Sequence, residues 1–151
     1  MVATIFRPGE GENLEIGGSL LSFKATAKSD APVSIFESRI EPGFPGPPLH
    51  VHKEMHDIFF VVEGTLTMQV EDEVIEAPAG TFVHVHPQTP HTFANRSDET
   101  VRVFCVFGPP GFEDYLRELA ERSGQGPPSP ETMSDIASRY DFEPVGPPLS
   151  G

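Results

Sequence analysis

The chain has 151 residues, of which 23 are acidic and 10 are basic, and its formal net charge at pH 7 is −13. This length fits one domain, and the acidic surplus argues against nucleic acid and anionic membranes as partners, because both carry negative charge. The longest uninterrupted apolar run, Ile58–Val62, is far shorter than the about twenty residues needed to cross a bilayer.

Two features of the sequence favour a reducing compartment. Cys105 is the one cysteine of the chain, so it cannot form an internal disulfide. Its apolar neighbours predict a buried and inert thiol. The N-terminal segment has no basic stretch followed by an apolar one, so we expect no signal peptide. Together these features predict a cytoplasmic protein.

Short runs rich in Val, Ile, Phe and Thr recur from Leu20 to Phe107 and predict β-strands. No long helical pattern interrupts them, which favours a sandwich or barrel over an α/β fold. The runs Ile58–Val62 and Val103–Phe107 are apolar at both parities. They predict strands covered on both faces, by an outer layer or by a partner subunit. The predicted strands are 20–28, 33–41, 49–52, 57–63, 65–71, 73–76, 81–86, 91–95 and 100–107.

The spacing of apolar residues becomes helical beyond residue 111. One helix is predicted around 112–120, and the segment Gly124–Pro128 ends it. A second helix is predicted to begin after Ser129 as N-cap and to continue to about residue 140. The tail Glu143–Gly151 is rich in Pro and Gly, and we expect it to be irregular.

All six histidines of the chain fall between residues 50 and 91. Histidine is the commonest metal ligand, so this clustering indicates a site. His50 and His52 are two residues apart and therefore lie on the same side of a strand, and His91 joins them if its strand lies alongside. Asp57 and the adjacent His56 are alternative sources of a fourth ligand. Three imidazoles and one carboxylate suit a first-row divalent metal.

These segments resemble the two sequence motifs of the cupin superfamily. The first motif, G-x5-H-x-H-x(3,4)-E-x6-G, is matched by His50, His52, Asp57 and Gly64. The second, G-x5-P-x-G-x2-H-x3-N, is matched by Gly80, His91 and Asn95. The resemblance covers residues 30–107, and the tail 140–148 is similar to that of single-domain cupins of the quercetin-dioxygenase-like group. The chain departs from the motifs in having Phe44 in place of the leading glycine, Asp57 in place of the glutamate, and His86 and Gln88 in place of Pro and Gly.

The resemblance implies an all-β fold of the cupin type, a double-stranded β-helix or jelly-roll barrel, with a short C-terminal helical extension. The barrel is expected over residues 1–108, and the extension and tail, packed on the same domain, over residues 109–151. It also implies one divalent transition metal (nickel, manganese, iron, cobalt or zinc), bound by His50, His52, His91 and Asp57, and a homodimer.

The implied activity is that of a dioxygenase-like oxidoreductase acting on a small enolic or aromatic molecule. Asp57 or His56 would take the substrate proton as the catalytic residue. Two other functions stay open at this point. One is a non-redox metal cupin, an isomerase or aromatic polyketide cyclase, that uses the metal as a Lewis acid. The other is a module that binds a small ligand without turnover.

The candidate residues for an apolar substrate pocket are Phe44, Phe59, Met68, Phe82 and Phe93, although core packing explains them equally well.

Three polar residues of the 81–90 region have two interpretations each. His84 and His86 share the strand parity of Phe82, so they either face solvent or an interface, or form a proton-relay pair near the metal. Gln88 is either a solvated turn residue or a neutral donor to the site.

Overall fold

The computed structural model describes residues 2–126 and 129–149. Within them, eleven β-strands form two sheets and two α-helices follow the tenth strand. The strands are β1 (Glu12–Ile16), β2 (Ser19–Ala25), β3 (Ser34–Ile40), β4 (Pro48–Val51), β5 (His56–Glu63), β6 (Thr65–Val70), β7 (Glu73–Pro78), β8 (Phe82–Val85), β9 (His91–Ala94), β10 (Val101–Gly108) and β11 (Glu143–Pro148). The helices are α1 (Glu113–Ser123) and α2 (Pro130–Ser138).

The two sheets are antiparallel and face each other across the hydrophobic core. The first has six strands in the order β1-β2-β3-β10-β5-β8, and the second has five in the order β11-β4-β9-β6-β7. Side chains at alternate positions of each strand point into the space between the sheets. The core contains fully buried Val61, Leu66 and Met68, and a row of aromatic rings that includes Phe36 and Phe107.

The all-β prediction with a helical extension is confirmed. Each of the nine predicted strands is present, and both helices form where the periodicity placed them. The Ser129 hydroxyl caps α2 by accepting the backbone N–H of Thr132 at 3.1 Å. Gly124 is the C-cap of α1, whereas Pro127 and Pro128 of the predicted break lie outside the described residues.

The prediction of an irregular tail is wrong, because residues Glu143–Pro148 form strand β11 at the edge of the second sheet. β11 pairs with β4, and Pro144 lies opposite His50. A proline cannot donate to the ladder, but its fixed φ suits an extended edge strand, which leaves one side free. Strand β1, at one edge of the other sheet, was not predicted from the sequence either. The last two residues, Ser150 and Gly151, lie outside the described part of the chain.

Two strands have apolar residues at both parities, and the described residues cover only one face of each. On β5 the inward Phe59 is buried, whereas the outward Phe60 is 42% exposed. On β10 the inward Cys105 is buried, as predicted, and the outward Phe104 is 38% exposed. No outer layer of the described residues covers these outward side chains. The outer layer is thus not found among the described residues, and the partner subunit stays a prediction.

Two glycines are required by the conformation of the loops that precede β4 and follow β5. Gly46 has φ +78°, and a Cβ there would lie 1.6 Å from the carbonyl oxygen of Phe93, so no other residue fits between this loop and β9. Gly64 has φ +81° in the turn from β5 to β6. Its positive φ explains why this motif position requires glycine.

A buried carboxylate joins the start of α1 to the first sheet. Glu113 is 1% exposed, and its carboxylate accepts hydrogen bonds from the backbone N–H groups of Ala27 (2.6 Å) and Gly111 (2.7 Å) and from the Ser34 hydroxyl (2.7 Å). Burial alone would raise the pKa of Glu113. The hydrogen-bond donors outweigh that effect, so its pKa lies below the ordinary value of 4.5. The carboxylate therefore stabilises the fold as an anion.

We predict that Glu113→Gln lowers the free energy of unfolding by about 2 kcal/mol at neutral pH, since an amide cannot accept all three donors. A carboxylate with a lowered pKa contributes its full stabilisation above its unfolded-state pKa and loses it as the pH falls through the folded-state value. The deficit measured by urea unfolding should thus be constant above about pH 5 and shrink below about pH 4. Glu121→Gln, on the exposed face of α1, is the control. A deficit that persists in acid would contradict this account.

Candidate metal centre

Strands of both sheets bring four buried polar side chains together. His50 is on β4, His52 directly follows that strand, and His91 begins β9, where it lies opposite His50. Asp57 is on β5 of the facing sheet. Each of the four residues is at most 5% exposed. The site therefore lies in the interior between the sheets, as the spacing of the three histidines predicts.

The four side chains are close enough to share one ion. One ligand atom from each lies within 4.8 Å of the others. Oδ2 of Asp57 is 3.0 Å from Nε2 of His91 and 3.6 Å from Nε2 of His52. This donor set of three imidazoles and one carboxylate is one that first-row divalent metals accept.

The outer nitrogen of each imidazole is held by a backbone carbonyl. Nδ1 of His50 donates to Pro48 at 2.7 Å, and Nδ1 of His91 donates to Thr89 at 2.9 Å. Nδ1 of His52 donates to the carbonyl of Asp141 at 2.5 Å. These bonds direct each Nε2 at the cluster, which is how metal-binding histidines are usually oriented.

Two polar atoms of the cluster are buried without a hydrogen-bond partner among the described residues, namely Nε2 of His52 and Oδ1 of Asp57. A buried polar atom left unpaired costs about 1–3 kcal/mol. A cation among the four side chains would satisfy the His52 lone pair and be neutralised in part by the Asp57 carboxylate. The residues present therefore fit a bound metal.

Burial and mutual contact set the charges of the cluster. Burial, together with neighbouring His91 and His52, lowers the pKa of His50 to about 3, so this imidazole is neutral. Burial also lowers the pKa of His52, but the Asp57 carboxylate more than offsets it, and the net shift is upward. Burial raises the pKa of Asp57, but the hydrogen bonds and charges of the imidazoles dominate and hold it below its ordinary value. The site thus contains one anion that attracts positive charge.

The structure separates the two alternative fourth ligands. Asp57 and His56 are neighbours on β5, so their side chains point to opposite faces of the sheet. Asp57 faces the three imidazoles, whereas His56 faces outward, with its Nδ1 2.9 Å from Nε2 of His84. His56, predicted as an alternative catalytic residue, is therefore not at the buried centre. His84 and His86 accompany it on the outer face.

Gln88 also lies away from the centre. Its side chain is exposed in the turn before β9, where its φ is +67°. Its backbone N–H donates to the carbonyl oxygen of His52 at 2.6 Å. Gln88 thus contributes a main-chain hydrogen bond to a histidine of the cluster. Its exposed side chain agrees with the first of the two interpretations, a solvated turn residue.

A cavity of about 260 Å³ adjoins the cluster, and His50, His52 and Asp57 form part of its wall. Three of the five predicted pocket residues line it, namely Phe44, Phe59 and Phe93. The buried thiol of Cys105 does so as well, and burial raises its pKa well above the ordinary value.

The other two predicted pocket residues lie elsewhere. Phe82 is 61% exposed, because its position on β8 has the outward parity. Met68 is completely buried but packs in the core away from the cavity wall. Alternation along a strand can identify the inward face, but it cannot distinguish a cavity wall from solid core.

The C-terminal segment supplies cavity residues that the sequence reasoning did not identify. The ring of Phe142 stacks on His50, with centroids 4.4 Å apart and an interplanar angle of 21°. Phe112 contacts His52 edge to face at 5.1 Å, and Tyr115 also lines the cavity. Burial raises the pKa of Tyr115 to about 12. The one sequence signal for this role was the similarity of the tail to that of other single-domain cupins.

Asp141 connects the C-terminal segment to the loop between β4 and β5. Its carboxylate accepts hydrogen bonds from the backbone N–H groups of Lys53, Glu54 and Met55, the last two at 3.0 Å. Burial alone would raise the pKa of Asp141, but these donors outweigh that effect and hold the pKa below its ordinary value. Since its carbonyl also accepts the Nδ1–H of His52, Asp141 fixes both the loop and one imidazole.

Comparison with known proteins agrees with this architecture and site. Residues 36–107 match the family model described as the cupin domain. The match places a cupin domain at residues 36–107, just under half of the chain. It is 30% identical over 98 residues to quercetin 2,3-dioxygenase of Bacillus subtilis (strain 168), an alignment that covers 64% of this chain but only 28% of that enzyme. The similarity to that relative is thus confined to a part of its length.

Solved structures confirm the cupin-type fold. KdgF from Halomonas sp. superposes with a TM-score of 0.63 at 16% identity, covering 75% of this chain and 99% of that one. Ectoine synthase from P. lautus superposes with a TM-score of 0.60 at 16% identity, covering 95% of this chain and 87% of that one. At such identities the similarity concerns the fold. Neither helix in the described part of the chain has the length and hydropathy of a membrane span.

We predict that Asp141→Ala lowers the affinity for the first equivalent of Zn²⁺ by about 10–100-fold, the usual effect of removing a group that orients a metal ligand. The variant keeps all four ligand side chains, but the loop that precedes Asp57 loses its three bonds. Affinity would be measured by competition with a chromogenic chelator on chelator-stripped, untagged protein.

Asp98→Ala, in an exposed turn remote from the centre, is the matched control for this experiment. Equal Zn²⁺ affinities for Asp141→Ala and the wild type would show that the C-terminal segment does not position the ligands.

Proposed function

We propose that this protein is a metal-dependent, dioxygenase-like oxidoreductase that acts on a small enolic or aromatic substrate with molecular oxygen. The observation that carries the proposal is the position of the buried three-histidine, one-carboxylate cluster in the wall of an apolar cavity. The partial similarity to quercetin 2,3-dioxygenase supports the same reaction class.

The cavity favours a small and largely apolar substrate. Its volume of about 260 Å³ is below the roughly 300–1,000 Å³ of pockets that hold drug-sized ligands. The aromatic side chains of Phe44, Phe59 and Phe93 supply faces and edges on which a planar ring can stack. The paired hydroxyls of Ser19 and Ser38, 2.9 Å apart in the cavity wall, can hydrogen-bond a polar substituent.

The side chains of the centre have separate tasks in this proposal. His50, His52 and His91 would hold the metal through their Nε2 atoms. When bound, a divalent transition metal supplies Lewis acidity that lowers the pKa of a coordinated substrate hydroxyl and redox capacity toward oxygen. The surrounding phenylalanines exclude water, which strengthens every electrostatic interaction inside the cavity.

Asp57 is the residue that takes the substrate proton. Its Oδ2 is held 3.0 Å from His91, while its Oδ1 has no partner among the described residues and can accept the hydroxyl proton. The lowered pKa of Asp57 keeps the carboxylate ionised and ready to accept. Because aspartate is one methylene shorter than the glutamate of the motif, the substrate hydroxyl must approach closer to β5.

The decisive experiment measures metal content and then oxygen uptake. Untagged protein would be produced in medium containing several transition metals, analysed for bound elements, and offered a panel of monocyclic and bicyclic enols and phenols, with a flavonol as its largest member. We expect a redox-active metal in the buried centre and oxygen consumption with at least one planar enol. Metal-loaded protein that consumes no oxygen with any of them would contradict the dioxygenase proposal and favour Lewis-acid isomerase or cyclase chemistry.

We predict that Asp57→Asn lowers kcat by about 10²–10⁴-fold, the usual contribution of a proton acceptor, with a smaller change in KM. The amide has the size of the carboxylate but cannot take the proton. Asp72→Asn, on the exposed turn between β6 and β7, is the control. Metal content must be measured for each variant, and an Asp57→Asn protein with bound metal and undiminished kcat would exclude Asp57 as the base.

We also propose that two copies associate through the outward face of β5, β8 and β10. Phe60 lies opposite Phe82 on one side and Phe104 on the other, so the three rings form a row across the sheet. They are 38–61% exposed and apolar in a chain of net charge −13. A continuous exposed apolar patch marks an interaction surface, and a two-fold pairing of identical patches is the commonest solution.

We predict that the protein is a homodimer and that a charged residue introduced on this face weakens the association. Sedimentation equilibrium should give twice the chain mass for the wild type, and Phe60→Asp should shift it toward the monomer. Val74→Asp introduces the same charge at an exposed apolar position on β7 of the other sheet and should leave the dimer intact. A monomeric wild type would exclude this interface.

The proposal includes a reducing, cytoplasmic setting. Cys105 is a buried free thiol, and the described residues hold no disulfide. Such a thiol needs no oxidising compartment for its stability.

A further inference from the structure

The three histidines that the buried centre does not use form a second cluster on the outer face of the first sheet. His56 begins β5, His84 is on β8, and His86 follows β8 directly. In the ladder, Asp57 lies opposite Val85 and Ile58 opposite His84, so the next position along each strand brings His56 beside His86. All three therefore share the outward parity.

The imidazole rings converge closely. Nδ1 of His56 lies 2.9 Å from Nε2 of His84, and the rings of His84 and His86 stack with centroids 4.0 Å apart. One nitrogen from each of the three rings lies within 4.8 Å of the other two.

Stabilisation of the fold does not account for this arrangement. His84 and His86 are exposed, so their contact buries little apolar surface. Among the described residues, the three rings hydrogen-bond or stack only with one another, and no carboxylate oxygen lies within 4.0 Å of their nitrogens. Three neighbouring imidazoles without a counter-ion repel each other when protonated, whereas their neutral lone pairs can bind a cation.

The outer cluster repeats the design of the inner one. In each, two histidines separated by one residue lie on or just beyond one strand, and a third comes from the neighbouring antiparallel strand. Strand alternation makes this pair spacing suitable for one ion, because residues i and i+2 point the same way.

We propose that His56, His84 and His86 form a second metal site, distinct from the buried centre. Three neutral imidazoles select borderline cations such as Zn²⁺, Cu²⁺ or Ni²⁺ over Mg²⁺ and Ca²⁺, which prefer oxygen ligands. The exposed position leaves water to complete a tetrahedral shell. The metal connects β5 to β8, the edge strand of the sheet, and stabilises their pairing by mass action. All three ligands come from one chain, so a second copy is not needed to complete the set, although the cluster shares the outward face of β5 and β8 with the proposed dimer surface.

The test counts Zn²⁺ equivalents on untagged, chelator-stripped protein by isothermal titration and by competition with a chromogenic chelator. The wild type should bind two equivalents per chain. His84→Ala should bind one, His50→Ala should also bind one, and the double variant should bind none above background. Because His50 and His84 belong to different clusters, each single variant serves as the control for the other.

Thermal unfolding with and without added Zn²⁺ gives a second readout. In the His50→Ala protein, Zn²⁺ should still raise the midpoint, and in the double variant it should not. Since His84 is exposed, His84→Ala should fold like the wild type by circular dichroism. A single wild-type equivalent that persists in His84→Ala, or an unchanged count of two in His84→Ala, would overturn the second site. A single wild-type equivalent that is lost in His84→Ala and kept in His50→Ala would support it.

Discussion

Burying four polar side chains between two sheets is the constraint on which the structure around the site depends. An unpaired polar atom in this interior is costly, and an isolated charge is more so. The fold meets this cost in two ways. Backbone carbonyls accept the Nδ1–H of each imidazole, and the carboxylate of Asp57 lies against two of the Nε2 atoms. The atoms still unpaired within the described chain are those that face the cluster, which indicates a site built for a cation.

The same constraint gives the C-terminal segment its role. The β-sheets alone do not supply the acceptor for His52 or the aromatic cover over His50. Asp141 and Phe142 supply them, and β11 continues the second sheet beside β4, the strand that carries His50. The C-terminal extension therefore forms part of the cavity wall and holds side chains of the metal centre in place. Its edge position in the sheet makes it compatible with a proline-rich sequence.

Most of the framework could be predicted because it depends on local signals. Strand alternation, turn residues and helical periodicity act over a few residues, so nine strands and two helices were correctly located. The three inner histidines followed from their spacing and from the motifs. The choice between His56 and Asp57 could not be made, because two adjacent residues satisfy the same spacing and a shift of one residue in register exchanges their faces.

Contacts across long sequence separations were beyond this reasoning. Asp141 lies 86–89 residues from the groups it binds, and nothing in the local pattern of the tail shows where its carboxylate will lie. The strands β1 and β11 were not predicted for a different reason: Glu12–Ile16 and Glu143–Pro148 contain few of the β-branched and aromatic residues that signal a strand. Phe82 and Phe59 have the same chemistry and comparable strand contexts. Only the parity of each position relative to the core distinguishes them.

The β5 strand shows how one short sequence can supply two surfaces of different chemistry. Its inward positions include Asp57 and Phe59, which belong to the buried centre and its cavity, and its outward positions include His56 and Phe60. Because side chains alternate strictly, a register shift of one residue would place the aspartate in solvent and an imidazole in the core. The pairing of β5 with both β8 and β10 opposes such a shift, since each neighbour would lose its matched row of side chains. Residues on the outer face thus help to hold the inner ligand in place, although none of them touches the buried centre.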